Sequence, residues 1–591
     1  MLKKPGSSCL PRPRSHHIVG FSLCLGLSLW ASAAKAPPVH PPASPALLDT
    51  LSAELSRAMT SLAAADRAAA DAPPPYFASY HVYDSYEVNI AAQFGALAAS
   101  NANHSRSADV AVRVGDPKLD NAHGNHRGSV VNTVQLPLND DQPAISRALW
   151  WGTNSGYANA LQNFQQVKTD TQVRAREEDL SADFSREAPE VNLEAPAVPA
   201  QVDLKQWEQR VRALSAVFRS YPEVYQNFVS LQVHDTTSYF VSTEGTRLVQ
   251  PHHLARVVVF AGTRAEDGMD LFRAQTFEAE TPDGLPSAQT MEAGARQLAV
   301  SLTQLRKAPV TQPFNGPALL SGRAAAVFFH EVLGHRLEGQ RQRGEEEGQT
   351  FTKELGKPIL PGFLSVADDP TQRIFESTYL SGYYAYDDEG QKARRVDLID
   401  DGVLKTFLMS RLPIASFDQS NGHGRSQPGR MPTGRQGNLV VSSTKTVPDA
   451  ELRRMLIEEA KKQGKAYGLY FEDISSGFAV TTRRAPQAFS VLPLVVYRVY
   501  VDGRPDELVR GVSIVGTPQA ALSRILAAGD KREVFNGECG AESGTIPVSA
   551  VAPAVLMSEI ETQRQPQGTS RIPILPLPGN DDQKPVSPEV H

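Results

Sequence analysis

The sequence predicts an α+β fold, in which an N-terminal domain of helices on a sheet is followed by a β-rich C-terminal domain. Two patterns predict this order. Apolar residues recur at helical spacing from Leu47 to Leu62, and β-prone runs follow between Tyr76 and Gly115. Beyond Lys307 the chain consists mainly of strand patterns. The 591 residues, 41% of them hydrophobic, suffice for more than one domain with its own core.

Individual elements follow from the same patterns. Helices are predicted from Leu204 to Phe218 and from Thr290 to Lys307, because apolar residues recur there at helical spacing. Asp401-Gly402 and Asp502-Gly503 each lie between two strand patterns. Asp-Gly favours the left-handed backbone of a tight hairpin turn, so we expect a hairpin at both places.

Changes in composition divide the chain into seven predicted segments. Residues 187–202 are assigned to an exposed linker because they are rich in Ala and Pro. The polar, Pro-rich end of the chain is typical of a disordered tail. The segments are a signal peptide (1–33), a Pro-rich spacer (34–45), an N-terminal α+β domain (46–186), the linker (187–202), a middle α+β region (203–310), a C-terminal domain (311–561) and the tail (562–591).

The N-terminal segment has the composition of an export signal. Basic residues between Lys3 and Arg14 precede an apolar run from Ile18 to Trp30, and small residues follow. This order predicts a secretory signal peptide cleaved after Ala33, and hence a periplasmic or secreted protein. An uncleaved anchor is the alternative. No later apolar run reaches about 20 residues, so we expect no integral membrane span in the mature chain.

Charge and cysteine content narrow the function classes. The net charge of −6 gives no global attraction for a polyanion, so we expect no nucleic-acid partner. Of the three cysteines, Cys9 and Cys24 lie in the predicted signal peptide. Cys539 alone would remain, and it cannot form an internal disulfide. It is therefore a buried bystander, a reactive thiol, an intermolecular link or a metal ligand.

The most distinctive motif lies in a predicted helix from Ser321 to Gly339. It contains His330-Glu331-Val332-Leu333-Gly334-His335. With 14 His and 65 acidic residues, a chain of this length would show such a string by chance only about 0.04 times. The motif therefore indicates a site, although a buried helix whose two histidines make separate hydrogen bonds is the alternative.

The spacing of the two histidines predicts a break in the helix. Residues five apart lie about 140° apart around a regular α-helix, so His330 and His335 would face different directions. Gly334 directly precedes His335 and would permit a π-type bulge or an early unwinding. We therefore expect irregular geometry from Leu333 to His335.

If both histidines bind a metal, an open catalytic site needs a third protein ligand, and Cys539 in a Gly-flanked loop is the candidate. Two histidines and a cysteine favour one divalent zinc ion, with iron as the alternative. Glu331 would be the general base that deprotonates the attacking water. Glu338 is expected to be a solvated acid at the helix end, with a role as a ligand or as an orienting group as the alternatives.

Five segments in this order resemble the TldD/PmbA family, once called modulators of DNA gyrase and regarded as metalloproteases. The similarity extends from about Pro45 to Met557 and is strongest after Gly316. The segments are His330–Glu338, Ser365–Thr371, Tyr386–Gly390, Arg435–Asn438 and Asn536–Gly540.

The resemblance implies a HExxxH-type metallopeptidase domain at 311–561 that hydrolyses peptides or unfolded polypeptide segments. It supports His330, His335 and Cys539 as ligands and Glu331 as base. It also implies a homodimer or a heterodimer with a metal-free family member. Arg435 and Asn438 would bind substrate, although a Gly- and Arg-rich turn explains them equally well. A non-catalytic subunit or peptide-binding scaffold with a structural metal is the alternative function.

Other potential sites are weaker. The pairs His123/His126 and His252-His253 lie in a polar loop and before a strand, where locally bonded or solvated histidines are expected. The sequence contains neither a Gly-x-Ser-x-Gly elbow nor a Walker phosphate loop, so serine hydrolases and NTPases have little support.

Overall fold

A computed structural model describes residues 45–66, 73–124, 130–173, 179–344, 347–485 and 487–565. It has the predicted α+β architecture, with a helix-covered sheet followed by a β-rich C-terminal domain. The predicted signal peptide, the spacer up to residue 44 and the tail from residue 566 lie outside the described residues. Residues 562–564, which the sequence assigns to the tail, instead form the end of the last strand.

The N-terminal part of the chain is built around an eight-stranded sheet. Its strands are β1 (Pro75–Gln93), β2 (Ala96–Asp116), β3 (Leu119–Asp120), β4 (Val131–Gln135), β5 (Val191–Leu193), β6 (Gln226–Ser242), β7 (Arg247–Arg264) and β8 (Asp270–Ala279). The order is β3-β2-β1-β6-β7-β5, with β4 paired to β2 and β8 paired to β7.

Helices cover one face of this sheet. Side chains alternate along β1, so Tyr80 and Val82 pack in one core cluster and Ile90 packs in a second cluster on the same face. His81 and Tyr83 lie on the opposite face, against the C-terminal domain. The covering helices are α1 (Ala46–Asp66), α2 (Gln142–Val173), α3 (Leu204–Ala216) and α4 (Ala288–Lys307).

Helix α2 has 32 residues and was not predicted. Gly152 and Gly156 interrupt its apolar pattern, and both face the sheet. A Cβ at Gly152 would lie 2.9 Å from Val134 Cγ1, and one at Gly156 would lie 3.3 Å from Val112 Cγ2. The glycines therefore let the helix approach the strands closely, and they remove the periodicity that would have predicted it.

The predicted linker at 187–202 belongs to the sheet. Its residues 191–193 form β5, which pairs in parallel with β7. Further along, Ala197 N and Ala200 N donate hydrogen bonds to Thr237 and Asp235 on β6. The direct pairing of β1 with β6 also joins the regions that the sequence divides at this linker. The segment was predicted as a linker because its Pro-rich composition lacks a strand pattern. It is ordered in the sheet because β7 and β6 supply hydrogen-bond partners.

A twelve-stranded sheet forms the C-terminal domain. Its strands are β9 (Asn315–Leu320), β10 (Leu364–Asp368), β13 (Val396–Asp400), β14 (Val403–Leu404), β17 (Asn438–Ser443), β18 (Thr446–Val447), β19 (Tyr467–Ala479), β20 (Phe489–Tyr500), β21 (Glu507–Val509), β22 (Val512–Gly516), β23 (Ile525–Ala541) and β24 (Gly544–Arg564). Two small hairpins pair β11 (Ile374–Phe375) with β12 (Thr378–Tyr379), and β15 (Gly424–Arg425) with β16 (Thr433–Gly434). The helices are α5 (Gly322–Val332), α6 (Asp449–Lys462) and α7 (Pro518–Ser523).

Part of this sheet closes on itself. Strand β9 pairs in parallel with β19 and antiparallel with β24, and β20 and β22 complete the circuit between them. Helix α5 follows β9 directly and packs into the same core as these strands. The ring of strands therefore fixes the helix that carries the motif.

The local sequence predictions are largely confirmed. Helices α3 and α4 lie where apolar periodicity placed them. Asp401 and Gly402 both have positive φ, 45° and 80°, and they connect β13 to β14. Asp502-Gly503 lies in the connection between the paired strands β20 and β21. Among the described residues, no helix is long and apolar enough to cross a bilayer.

Candidate metal centre

Helix α5 delivers the first two site residues. Ser321 caps it, with Ala324 N donating to Ser321 Oγ over 3.0 Å, as Ser at an N-cap predicts. Every residue from Ala324 to Val332 is buried, so the helix is held on all sides. His330 and Glu331 lie in its last turn, inside the domain.

The α-helix ends before the second histidine. Leu333 has φ −113° and ψ −54°, and residues 334–337 form a 3₁₀ turn that carries His335. This confirms the predicted irregularity as an early unwinding. A Cβ at Gly334 would lie 1.9 Å from Gln436 Oε1, so a larger residue here would force the buried Gln436 side chain to move. The two imidazole centroids are 5.0 Å apart, with an interplanar angle of 79°.

Cys539 comes from the hairpin between β23 and β24, where it pairs with Ile546. Its side chain is buried, and its Sγ lies 3.4 Å from His335 Nε2. One donor atom each from His330, His335 and Cys539 lies within 4.8 Å of the other two. The structure thus brings together the three residues that the sequence predicted as ligands, with Cys539 lying 204 residues after His335 in the chain.

The donor set fits a divalent metal. Burial raises the pKa of the Cys539 thiol, but the two imidazoles outweigh it and hold that pKa well below its usual value. Burial lowers the pKa of His335, but the thiolate and Glu338 outweigh it and hold that pKa well above its usual value. A thiolate and two imidazoles are the ligands that zinc prefers, and thiolate is the form that binds metal.

Glu331 lies beside the three donors. Its Oε2 is 4.0 Å from His335 Nε2 and is buried without a hydrogen-bond partner among the described residues. A buried carboxylate oxygen with no partner is costly, which indicates that a further group belongs next to it. A Cβ at Gly477 would lie 2.6 Å from Glu331 Cγ, so glycine there makes room for the side chain.

A cavity of about 360 Å³ opens onto these groups. Besides the three donor residues and Glu331, its wall includes residues of β19, the end of β23, the turn that follows β23, Arg341 and two apolar side chains. The lining includes Ser475, Ser476, Gly477, Phe478, Phe535, Glu538, Glu542, Val327 and Val548. The cavity thus combines apolar and polar surface around the donors.

Glu338 is not the solvated acid that the sequence predicted. It is fully buried, and His335 Nδ1 lies 3.0 Å from its Oε1. Burial raises the pKa of Glu338, but His335, Arg341 and Arg435 outweigh it and hold that pKa at about 2. The prediction of a solvated acid was wrong because the chain beyond the break at Leu333 turns residue 338 inward. There His335, Arg341 and Arg435 supply the opposite charges that a buried carboxylate needs.

The predicted substrate residues lie outside the cavity wall. Arg435 is fully buried and donates to Cys539 O over 2.7 Å and to Ser543 Oγ over 2.8 Å. Asn438, also fully buried, donates from its side-chain amide to the carbonyl oxygens of Asp369 and Gln372. Both residues hold the protein's own backbone, which agrees with the turn interpretation rather than with substrate contact.

Two arginines near the site were missed by the sequence analysis. Arg336 donates to the carbonyl oxygens of Glu331 and Val332, and burial lowers the pKa of Arg336 to about 10. Arg341 lines the cavity and donates to Glu542 Oε2 over 2.6 Å. A basic residue next to a helix C-terminus is a known capping signal and identifies Arg336, but no local signal identifies Arg341.

The other two histidine pairs of the sequence analysis were expected to be locally bonded or solvated, and their described members agree with this. His123 Nδ1 lies 2.8 Å from Asp183 Oδ1, and His253 Nδ1 lies 2.6 Å from Asp235 Oδ1. His252 is partly buried, and burial lowers its pKa to about 4. His126 lies outside the described residues. Within the described ranges, His330, His335 and Cys539 are the group of side chains whose donor atoms lie close enough together to hold a metal ion.

Comparison with known proteins gives results for the C-terminal part and for the fold. Residues 314–564 match the profile of the PmbA/TldA metallopeptidase C-terminal domain. A metalloprotease of Archaeoglobus fulgidus is 29% identical over 239 residues, which cover 40% of this chain and 51% of the relative. A zinc metalloprotease TldD homolog of Saccharolobus solfataricus is 25% identical over 248 residues, which cover 42% and 51%.

These matches span only about half the length of the curated relatives. The fold likeness is more extensive. A crystal structure of a candidate modulator of a DNA gyrase from Thermotoga maritima has a TM-score of 0.56 and 14% identity. It covers 86% of this chain and 99% of that chain. At this identity the likeness shows the fold alone.

Proposed function

We propose that this chain is a HExxxH-type metallopeptidase. Its residues 314–564 match the profile of the PmbA/TldA metallopeptidase C-terminal domain, which agrees with the family that the five motifs resemble. The observation that carries the proposal is the convergence of His330, His335, Cys539 and Glu331 on one cavity. Relatives named metalloprotease support the same class.

His330, His335 and Cys539 would hold one divalent ion. Zinc is the first candidate, from the donor set and from the name of the Saccharolobus relative, and iron is the alternative. Three protein donors leave a position open for water or substrate, as a catalytic site requires. Glu338 approaches His335 from Nδ1, whereas Cys539 lies at Nε2, so Glu338 does not complete a closed four-ligand sphere.

When bound, the metal supplies Lewis-acid polarisation of the scissile carbonyl and activation of water. Glu331 accepts the proton of the attacking water at its partner-free Oε2 and returns it to the leaving amine. Val327, Phe535 and Val548 form the apolar part of the cavity wall and would contact apolar atoms of the substrate. The chain's own residues thus provide proton transfer and part of the substrate-contacting surface.

The proposed substrates are peptides or unfolded polypeptide segments. A cavity of about 360 Å³ accommodates a few side chains of an extended segment but no folded domain. We further propose that the chain is exported to the periplasm or outside, because its first 33 residues have signal-peptide order. By analogy with its family it would act as a homodimer or as a heterodimer with a metal-free member.

The test combines metal content with hydrolysis of an unstructured polypeptide. We expect about one zinc per chain and metal-dependent cleavage, with Glu331→Gln keeping the metal and losing about 10² to 10⁴ in rate. Glu54→Gln is the matched control, since Glu54 is a buried carboxylate on α1, bonded to Arg57. Absence of metal from the folded, zinc-supplemented wild type would overturn the proposal, and bound metal without hydrolysis would favour the scaffold.

Export has its own test. The mature chain recovered from the periplasm or medium should begin at residue 34, as read by N-terminal sequencing. A chain that keeps residues 1–33 and remains in the cytoplasm would contradict export without touching the proposed chemistry.

A further inference from the structure

We propose that Glu338 and Arg435 form a buried brace that positions His335 and Cys539 and so sets the metal affinity of the site. The inference rests on the proposed metal site and assigns new positioning roles within it. Neither residue touches the cavity, and both have side chains with no exposed surface. Their effect must therefore pass through the ligands that they contact.

The first half of the brace fixes the ring of His335. A carboxylate can only accept, so the 3.0 Å contact from His335 Nδ1 to Glu338 Oε1 places the proton on Nδ1. In the neutral imidazole, Nε2 then carries the lone pair that can bind a metal, and it faces Cys539 Sγ. Carboxylate partners of this kind orient metal-ligating histidines and raise their basicity.

Glu338 is itself held from its second oxygen. Arg341 Nε donates to Glu338 Oε2 over 3.2 Å, and Gln340 Nε2 lies 3.4 Å from the same atom. Arg435 Nε lies 3.5 Å from Oε1. Because both carboxylate oxygens have partners, the Glu338 side chain is held in one rotamer. The His335 ring that contacts it is therefore held in one orientation.

The second half of the brace fixes the Cys539 hairpin. Arg435 Nη2 donates to Cys539 O over 2.7 Å, and Nη1 donates to Ser543 Oγ and to Gly544 O. One planar guanidinium thus contacts the carboxylate behind His335 and the backbone of Cys539. Arginine's rigid fork suits such a bridge, whereas lysine offers a single point of contact.

The expected effect is on metal binding. Glu338→Gln keeps the size of the side chain but removes the charge, and Arg435→Met removes every bond of the bridge. We expect each to weaken zinc affinity by about 10- to 100-fold, as loss of groups behind metal ligands typically does. Arg435→Lys, which keeps the charge beside Glu338, should recover part of the loss.

Matched controls exist elsewhere in the chain. Asp235 is a buried carboxylate on β6 whose Oδ1 lies 2.6 Å from His253 Nδ1, so Asp235→Asn repeats the Glu338 change away from the ligands. Arg411 is a buried guanidinium that bonds Ser185 O and Glu244, so Arg411→Met repeats the Arg435 change. The controls should lose stability and keep the zinc affinity of the wild type.

Zinc affinity is measured by competition with a chelator on the full purified chain, and cobalt substitution reports the thiolate–metal absorption band. Weaker zinc and an altered cobalt spectrum in Glu338→Gln and Arg435→Met, with both controls unchanged, support the brace. Wild-type affinity in Glu338→Gln would overturn it, as would equal losses in the controls. If Arg435→Met does not fold, Glu338→Gln and Arg435→Lys decide. A wild type that binds no zinc would overturn the proposed function and the brace together.

Discussion

The candidate metal centre and the acidic turn at Asp387-Asp388-Glu389 are both buried clusters of charge, but their hydrogen-bond partners differ. At the metal centre, each anion has a cationic neighbour: Cys539 lies against His335, and Glu338 lies against His335 and Arg341. At the acidic turn, three consecutive carboxylates share one small region, and backbone amides are their main partners.

The contacts of the acidic turn are structural. Asp387 accepts from the backbone N–H groups of Glu389, Gln391 and Gly424. Asp388 accepts from Ser426 N over 2.8 Å, and Glu389 accepts from Arg411 N over 2.6 Å. The turn therefore ties residues 411 and 424–426 together beneath the N-terminal sheet, and this explains the Tyr386–Gly390 motif without a catalytic role.

The pKa shifts of the buried carboxylates differ between the two clusters. Burial raises the pKa of Asp388 to about 6 and that of Glu389 to about 7, and it raises the pKa of Asp387 well above its usual value. Burial acts equally at the metal centre, yet the pKa of Glu338 is held at about 2. At Glu338 the neighbouring opposite charges outweigh burial. At the acidic turn Arg425, Arg411 and Arg113 lower the pKa values of the acids but do not outweigh burial, and repulsion between the carboxylates raises the pKa of Asp387 further.

The largest expected effect is at the ligand itself. Cys539→Ser replaces the thiolate with a hydroxyl, and we expect zinc affinity to fall by more than about 100-fold, beyond the loss at any residue behind the ligands. Chelator competition measures it. A zinc affinity of Cys539→Ser equal to that of Glu338→Gln would mean that Cys539 is not a ligand.

The acidic turn should respond to pH in the opposite sense to a salt-bridged acid. A carboxyl whose folded pKa is raised stabilises the protein below its unfolded pKa, about 4.5, and loses that contribution as the pH rises through its folded pKa. The free energy of unfolding should therefore fall between about pH 4.5 and 7, by roughly 1 to 3 kcal/mol from Glu389.

Urea unfolding at several pH values checks this prediction, with Glu389→Gln as the comparison. The variant keeps a hydrogen-bond acceptor and cannot ionise, so its stability should depend less on pH than that of the wild type. Parallel pH profiles would show that Glu389 titrates normally.

Gly334→Ala tests whether packing creates the break in α5. A methyl group there would overlap Gln436 Oε1, and overpacking costs about 1 to 3 kcal/mol. We expect a lower unfolding midpoint and weaker zinc binding, with partial recovery in Gly334→Ala/Gln436→Ala. Gly362→Ala is the control, because a Cβ there meets only Asp401 O at 3.7 Å. Equal effects of the two alanines would contradict the packing argument.

The smallest effect is expected at the surface. Arg454 pairs with Glu451 and Glu458 on the exposed face of α6, where water screens the charges. Arg454→Ala should leave the unfolding midpoint and zinc affinity unchanged. A clear loss of stability would show that this exposed cluster contributes to stability despite screening by water.

The sequence predicted the candidate ligands better than it predicted the buried residues that contact them. His330 and His335 are marked by spacing, Gly334 by its place before a ligand, and Cys539 by being the remaining cysteine, and these signals are local or countable. The burial of Glu338 and the bridge from Arg435 depend on a long-range approach of two loops, which no local pattern encodes. Likewise, α2 and β5 were missed because glycines and prolines that serve tertiary packing hide the local signal.

Diffraction from zinc-soaked crystals, with anomalous signal at the zinc edge, tests the central claim most directly. We predict one ion bound by His330, His335 and Cys539, with no fourth protein ligand and with Glu338 on Nδ1 of His335. An ion enclosed by a fourth protein donor, or no ion between these three side chains, would contradict the account.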